Sequence, residues 1–175
     1  MRLFVGVKIS MTAVDAIAAS VDRMRAAAVE RGVRVRWLSQ ATYHVTLRFL
    51  GETRPEALEA VRDTLGAALH GAEAVAFRTR GIGAFPDAAR ARVVWAGVAD
   101  DGGRLAKLAA VCERAVVPLG FSPERRPFHP HVTIGRLREV ANVEPVLLGF
   151  TEQEYSETRA DRVTLFESVM KSGGS

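Results

Sequence analysis

One cysteine, Cys112, stands in a chain of 175 residues. A lone thiol excludes an intramolecular disulfide and a four-cysteine metal site. It fits a reducing cytoplasm, which is the expected location. Histidine is nearly as scarce, with four residues, and aromatic side chains make up only 7% of the chain, so the core has to be mainly aliphatic. No run of about 18 apolar residues occurs, so no membrane-spanning helix is expected. The opening MRLFVGVKIS has its apolar run broken by Lys8 and carries no small-residue cleavage site, so it does not read as a secretory signal.

What is present is ordinary for a globular protein: 48% hydrophobic and 25% charged residues, which excludes a disordered or fibrous chain. A chain of this length buries roughly 70% of the surface its unfolded form exposes and needs no disulfide or structural metal to hold a core. The formal charge is +4, mostly arginine, and the pI is about 9.8. Arginine offers bidentate contacts to phosphate oxygens. The balance favours anionic partners such as nucleotides or RNA, although a bias of this size also fits a plain soluble protein.

Periodicity predicts strands at Leu3–Ile9, Val33–Leu38, Tyr43–Leu50 and Val75–Arg80. It predicts helices over Thr12–Glu30, capped by Thr12, and over Pro55–Leu69. The second half follows the same order. Ala91–Val98 reads as a strand, Leu105–Val117 as a helix stopped by Pro118 and Gly120, and His131–Leu137 as a strand. A short helix over Val143–Phe150 and a strand over Arg162–Met170 complete it, and the tail 171–175 is expected to be disordered. HVTL starts at His44 and HVTI at His131, an offset of 87 in a chain of 175. The same offset carries Leu3–Ile9 onto the Ala91 strand, Pro55 onto Asn142 and Val75 onto Arg162. The reading is therefore one domain over residues 1–170, built from an internal repeat of about 87 residues.

Side chains alternate faces along a strand. His44 and Thr46 thus share one face, as do His131 and Thr133, while Val45, Leu47, Val132 and Ile134 turn to the core. Two such pairs facing one another across a pseudo-two-fold axis suit in-line displacement at phosphorus. That reaction needs a base beside the incoming oxygen and an acid beside the leaving oxygen, and imidazole can be either near neutrality. The threonine hydroxyls can donate to non-bridging oxygens. A single His-x-Thr carries little information, but two copies at half-chain spacing carry much more. A rival site uses His129 and His131, spaced as HxH, with His44 as a third zinc ligand. Nothing mirrors His129 in the first half, where Thr42 stands, and the threonines would have no part, so no metal or other cofactor is expected.

Two HxTx motifs in these positions resemble the two-histidine phosphoesterase superfamily. RFLGE (Arg48–Glu52), Phe85-Pro86, ARVVW (Ala91–Trp95), RPFHPHVTIGR (Arg126–Arg136) and VTLFES (Val163–Ser168) are similar to its RNA 2′,3′-cyclic phosphodiesterase branch, also called 2′-5′ RNA ligase. The resemblance implies an α+β fold of two pseudo-symmetric lobes, with antiparallel sheets lining a central groove and helices outside. It implies metal-free hydrolysis of RNA or nucleotide 2′,3′-cyclic phosphates to 2′-phosphomonoesters. His44 would protonate the leaving 3′ oxygen, His131 would activate water, and Thr46, Thr133 and Arg136 would hold the phosphate. The alternative is a nucleotide- or RNA-binding module on the same fold without turnover. A monomer acting on RNA ends or nucleoside cyclic phosphates, away from any membrane, is the expectation.

Strict alternation conflicts with one of these assignments. Arg136, five residues from His131, falls on the opposite face unless a bulge at Gly135 flips the parity or the side chain reaches in from a loop. Arg48 keeps the parity of His44 and Thr46 and is a second phosphate candidate. Tyr43 and Phe128 flank the motifs and can either stack on a base or pack in the core. Trp37 and Trp95 read as core or cleft wall, Cys112 as a buried small hydrophobe, and the arginines at 31, 34 and 36 as an RNA track or a solvated edge.

Overall fold

The computed structural model describes residues 1–168; the predicted tail, 171–175, and the end of the last predicted strand lie outside them. Among the described residues the chain forms β1 (Arg2–Lys8), α1 (Met11–Glu30), β2 (Arg36–Trp37), β3 (His44–Glu52), α2 (Leu58–Ala68), β4 (Val75–Phe85), β5 (Ala91–Ala99), α3 (Arg104–Val116), β6 (His131–Ala141), α4 (Glu144–Leu147), β7 (Glu154–Ala160) and β8 (Thr164–Glu167). The fold is α+β. Its strands make one antiparallel sheet in the order β7-β4-β5-β6-β3-β1-β8, with β2 added beside β6.

Helix α1 buries Val14, Ile17, Val21, Met24 and Ala28, the apolar stripe its spacing predicts. Its cap is Ser10 rather than Thr12: the Ser10 hydroxyl accepts from the Ala13 amide at 3.2 Å. The Thr12 hydroxyl instead meets Ser156 on β7 at 3.0 Å. Helix α3 buries Leu105, Ala109, Cys112 and Val116, an i, i+4, i+7, i+11 stripe. Burial pushes the Cys112 thiol pKa up, which keeps it an inert apolar side chain.

The sheet has two halves that touch at one point. Strands β3 and β6 pair only at Val45 and Val132. Past that pair they diverge, and β2 takes the place beside β6, with Arg36 opposite Arg136 and Trp37 opposite Gly135. Val45 and Val132 are fully buried and so are Val5, Val7, Val94 and Ile134, which fixes one face of both halves to the core. The other face opens where β3 and β6 splay, and the two HxTx motifs stand at that apex. Each half also borrows from the other end of the chain. β4 pairs with β5, and β8 pairs with β1. Helix α1 packs on β7, and α3 on β3.

Candidate active site

Each motif histidine opens its strand and is oriented by a backbone carbonyl two residues earlier. His44 Nδ1 lies 2.6 Å from the Thr42 carbonyl oxygen, and His131 Nδ1 lies 2.7 Å from that of His129. A carbonyl only accepts, so Nδ1 carries the proton in both rings and Nε2 is the atom presented to the open face. His44 Nε2 sits 3.2 Å from the Thr46 hydroxyl. The Val45–Val132 pair sets an antiparallel register. It brings the two HxTx motifs side by side where the strands begin to splay. Both imidazoles are half-buried, and removal from water holds both pKa values below the usual histidine value; the carbonyl bonds oppose this. The charge of His131 further lowers His44, while those of His129 and Arg136 further lower His131.

A bulge follows each motif at the same step. On β3, Gly6 pairs with Thr46 and Val5 with Arg48, so Leu47 is the extra residue. On β6, Trp95 pairs with Thr133 and Val94 with Gly135, so Ile134 is the extra residue. The extra residue reverses the alternation beyond it. Arg136 therefore stands exposed on the histidine face, and its charge reaches His131. The bulge resolves the parity conflict, one residue before the glycine where the sequence placed it. Arg36, the register partner of Arg136, brings a second guanidinium to that strand position.

Residues 13–170 match the model of the 2′-5′ RNA ligase superfamily. The chain belongs to this superfamily. An Aeropyrum pernix protein named RNA 2′,3′-cyclic phosphodiesterase is 33% identical over 157 residues, covering 87% of both chains. The solved structure of TT0787 from Thermus thermophilus superposes with a TM-score of 0.75 at 27% identity, over 98% of this chain and 91% of that one. The structure of E. coli LigT with 3′-AMP gives 0.71 at 23% identity, over 99% and 91%, and so shares the fold.

In this superfamily member the two histidines have different surroundings. His44 packs in a cluster with two phenyl rings: its centroid lies 4.7 Å from Phe4 and 5.2 Å from Phe166, which are 4.9 Å from each other. Phe49, 58% exposed, lies 6.1 Å from Phe4. Gly6 leaves room for this cluster. A Cβ there would stand 2.7 Å from the Val45 carbonyl oxygen, 3.4 Å from the Phe166 ring and 3.5 Å from His44 Cδ2. His131 meets Phe85 edge-on at 5.0 Å and lies 6.5 Å from Trp95, which is cleft wall rather than core. The Trp95 indole N–H is buried with no acceptor among the described residues. His129 joins this cluster through its ring, 5.3 Å from Phe85 and 5.5 Å from Trp95. The described residues gather no three His, Cys, Asp or Glu side chains placed to hold a metal ion.

Two sequence candidates are not on this face. Arg48 is 7% exposed; the bulge at Leu47 turns it into the core, against the carboxylate of Glu113 on α3 and the carbonyls of Phe49 and Ser122. It is a strut between β3 and α3, not a phosphate contact. Tyr43 is 4% exposed, packed in the core with its hydroxyl buried, so it cannot stack on a base. Phe128 and Trp37 are both half-buried against the same core. Among the site residues, Phe49, Phe4, Phe166 and Phe85 escaped sequence reasoning. The available signal was the repeat offset: adding 87 to Phe49 gives Arg136, so the two occupy matching posts.

Proposed function

We propose that this superfamily member hydrolyses 2′,3′-cyclic phosphates at RNA ends or on nucleosides to 2′-phosphomonoesters, without a metal. The observation that carries the reading is the paired orientation of the histidines. In both, Nδ1 is engaged by a carbonyl, which leaves Nε2 for the shared face, and at His44 the Thr46 hydroxyl lies beside it. The names of the curated relatives support the same reaction. We place the reaction in the cytoplasm, a reading that the lone buried thiol and a ribonucleotide substrate support.

His131 Nε2 takes a proton from water as its oxygen attacks phosphorus. The bond from phosphorus to the 3′ oxygen breaks, and His44 Nε2–H protonates that oxygen. A 2′-phosphomonoester and a free 3′-hydroxyl result. Thr46, Thr133 and Arg136 donate to the non-bridging oxygens as charge develops there. Desolvation leaves both rings neutral before substrate binds, so the anionic substrate itself favours the imidazolium that acts as the acid.

The assignment is tested with adenosine 2′,3′-cyclic phosphate in the presence of EDTA. Turnover to adenosine 2′-phosphate is expected to persist, and His44→Ala and His131→Ala each to lose roughly 10²–10⁴-fold. An analogue with a far better leaving group at the 3′ position needs less acid assistance, so it should rescue His44→Ala and leave His131→Ala impaired. The reverse pattern exchanges the two roles. Loss of activity with EDTA and recovery with zinc would sink the two-histidine mechanism.

A further inference from the structure

The face beside His44 carries a polar feature that this chemistry leaves unused. Lys8, at the end of β1, is the register partner of His44 and points to the same face as Phe4 and Gly6. Thr164 pairs with Gly6 on the far side of β1, and Arg162 lies two residues before it. A pocket of about 270 Å³ opens there, lined by Lys8, Arg159, Arg162 and Thr164 and, at its wall, by Asp161. Three cations against one carboxylate leave it net positive. None of the three has an ion-pair partner among the described residues.

The other lobe is built differently. The register partner of His131 is Gly97, with no side chain to offer. The arginines of β4 are already neutralised: Arg78 pairs with Asp101 at 2.9 Å, and Arg80 with Glu152 and Glu154 at 2.9 and 3.2 Å. Arg136 on β6 and its partner Arg36 on β2 lie farther along, beyond the bulge. Free positive charge in a pocket is thus a property of the His44 side at the start of the motif strand.

We infer that this pocket takes a phosphate on the 5′ oxygen of the reacting ribose. The inference rests on the proposed hydrolysis. His44 attends the leaving 3′ oxygen, so the ribose lies on the His44 side and water on the His131 side. The 5′ carbon leads away from the reacting phosphate over β1, toward Lys8 and Arg162. Arg162 is two strands from His44, about 10 Å at ordinary strand spacing, a span that one nucleotide and a guanidinium side chain bridge. A fork of N–H donors and a threonine hydroxyl match a phosphodiester oxygen pair.

Two readouts test this in the full chain. Wild-type protein should bind adenosine 2′,5′-bisphosphate about tenfold more tightly than adenosine 2′-phosphate, the size two or three solvent-facing charge contacts supply, and the ratio should shrink with added salt. In the variant carrying both Lys8→Gln and Arg162→Gln, two exposed positions, the ratio should fall to about one. The kcat/KM ratio of 5′-phosphoadenosine 2′,3′-cyclic phosphate to adenosine 2′,3′-cyclic phosphate should behave in the same way. Equal binding of the two ligands by wild-type protein, or a ratio that survives in the variant, overturns the pocket assignment. Absence of turnover with both substrates overturns the proposed hydrolysis, while the binding ratio still reads the pocket.

Discussion

Replacing Arg48 by Met separates a strut from a phosphate ligand, because the two roles predict opposite signatures. The guanidinium is 7% exposed and bridges β3 to α3 through Glu113, with further bonds to the Phe49 and Ser122 carbonyls. Removing one partner of a buried pair costs about 3–5 kcal/mol, most of it from the charge left behind. The Glu113 side chain is 26% exposed and can recover part of its hydration, which pulls the cost to the lower end of that range. The orphaned carbonyls add to it, about 1 kcal/mol per lost hydrogen bond. A loss of about 5 kcal/mol is expected. In a chain of this size it lowers Tm by roughly 10–20 °C, at about 2–4 °C per kcal/mol. Urea unfolding of the variant should show a lower midpoint with an unchanged slope. The KM for adenosine 2′,3′-cyclic phosphate should stay within about twofold under conditions where the variant is folded. Adding Glu113→Leu should restore much of the stability, since an apolar pair of similar volume is often neutral. A variant of wild-type stability with a KM raised about tenfold would refute the reasoning and return Arg48 to the phosphate.

Thr46→Val and Thr133→Val should each slow turnover by about 10–100-fold with an unchanged circular-dichroism spectrum, less than the loss from a sole oxyanion donor because Arg136 shares the charge; wild-type rates would remove the hydroxyls from the mechanism. The depressed histidine pKa values make a signed stability prediction. The unfolded chain takes up protons near pH 6.5 while the folded rings resist, so their contribution is complete above that pH and is lost as pH falls through it toward the folded values. Urea titrations at pH 8 and pH 5.5 should show a smaller drop for His44→Gln with His131→Gln than for wild-type; an equal drop would mean that these rings are not the source. Gly6→Ala drives a Cβ to 2.7 Å from the Val45 carbonyl oxygen, so β1 and β3 must part. About 1–3 kcal/mol of stability is expected to go, with a kcat loss through misplaced His44, and unchanged kcat would show that the motif tolerates the shift.

The elements with strong apolar periodicity were legible: α1, α3 and both motif strands sit where their buried stripes predict. Strand β7 was not, because EYSETRA is an edge strand with Thr158 as its one buried residue and no alternation of apolar side chains. The histidines and threonines were readable because each motif lies before its bulge, where alternation holds. Beyond the bulge a two-residue period misleads. It placed Arg48 on the wrong face, and on β6 it returned Arg136 to the right one only once a bulge was allowed. The burial of Tyr43 was beyond reach for a different reason, since nothing in its neighbours distinguishes a groove wall from a core one. Phe4 and Phe166 reach His44 from strands far apart in the chain, so no local pattern announces them.

The exchange of strands and helices between the two ends of the chain has a consequence for how the protein can be divided. A cut in the turn between Phe85 and Ala91 leaves an N-terminal fragment whose β4 has lost β5 and a C-terminal fragment whose β8 has lost β1. Each piece would expose a strand edge and an unpacked helix face that only the other piece fills. The fragments should therefore be poorly structured alone and reassemble on mixing. Since each carries one histidine motif, phosphodiesterase turnover would then report their reunion, and a dilution series would measure the affinity that the intact chain holds as folding energy.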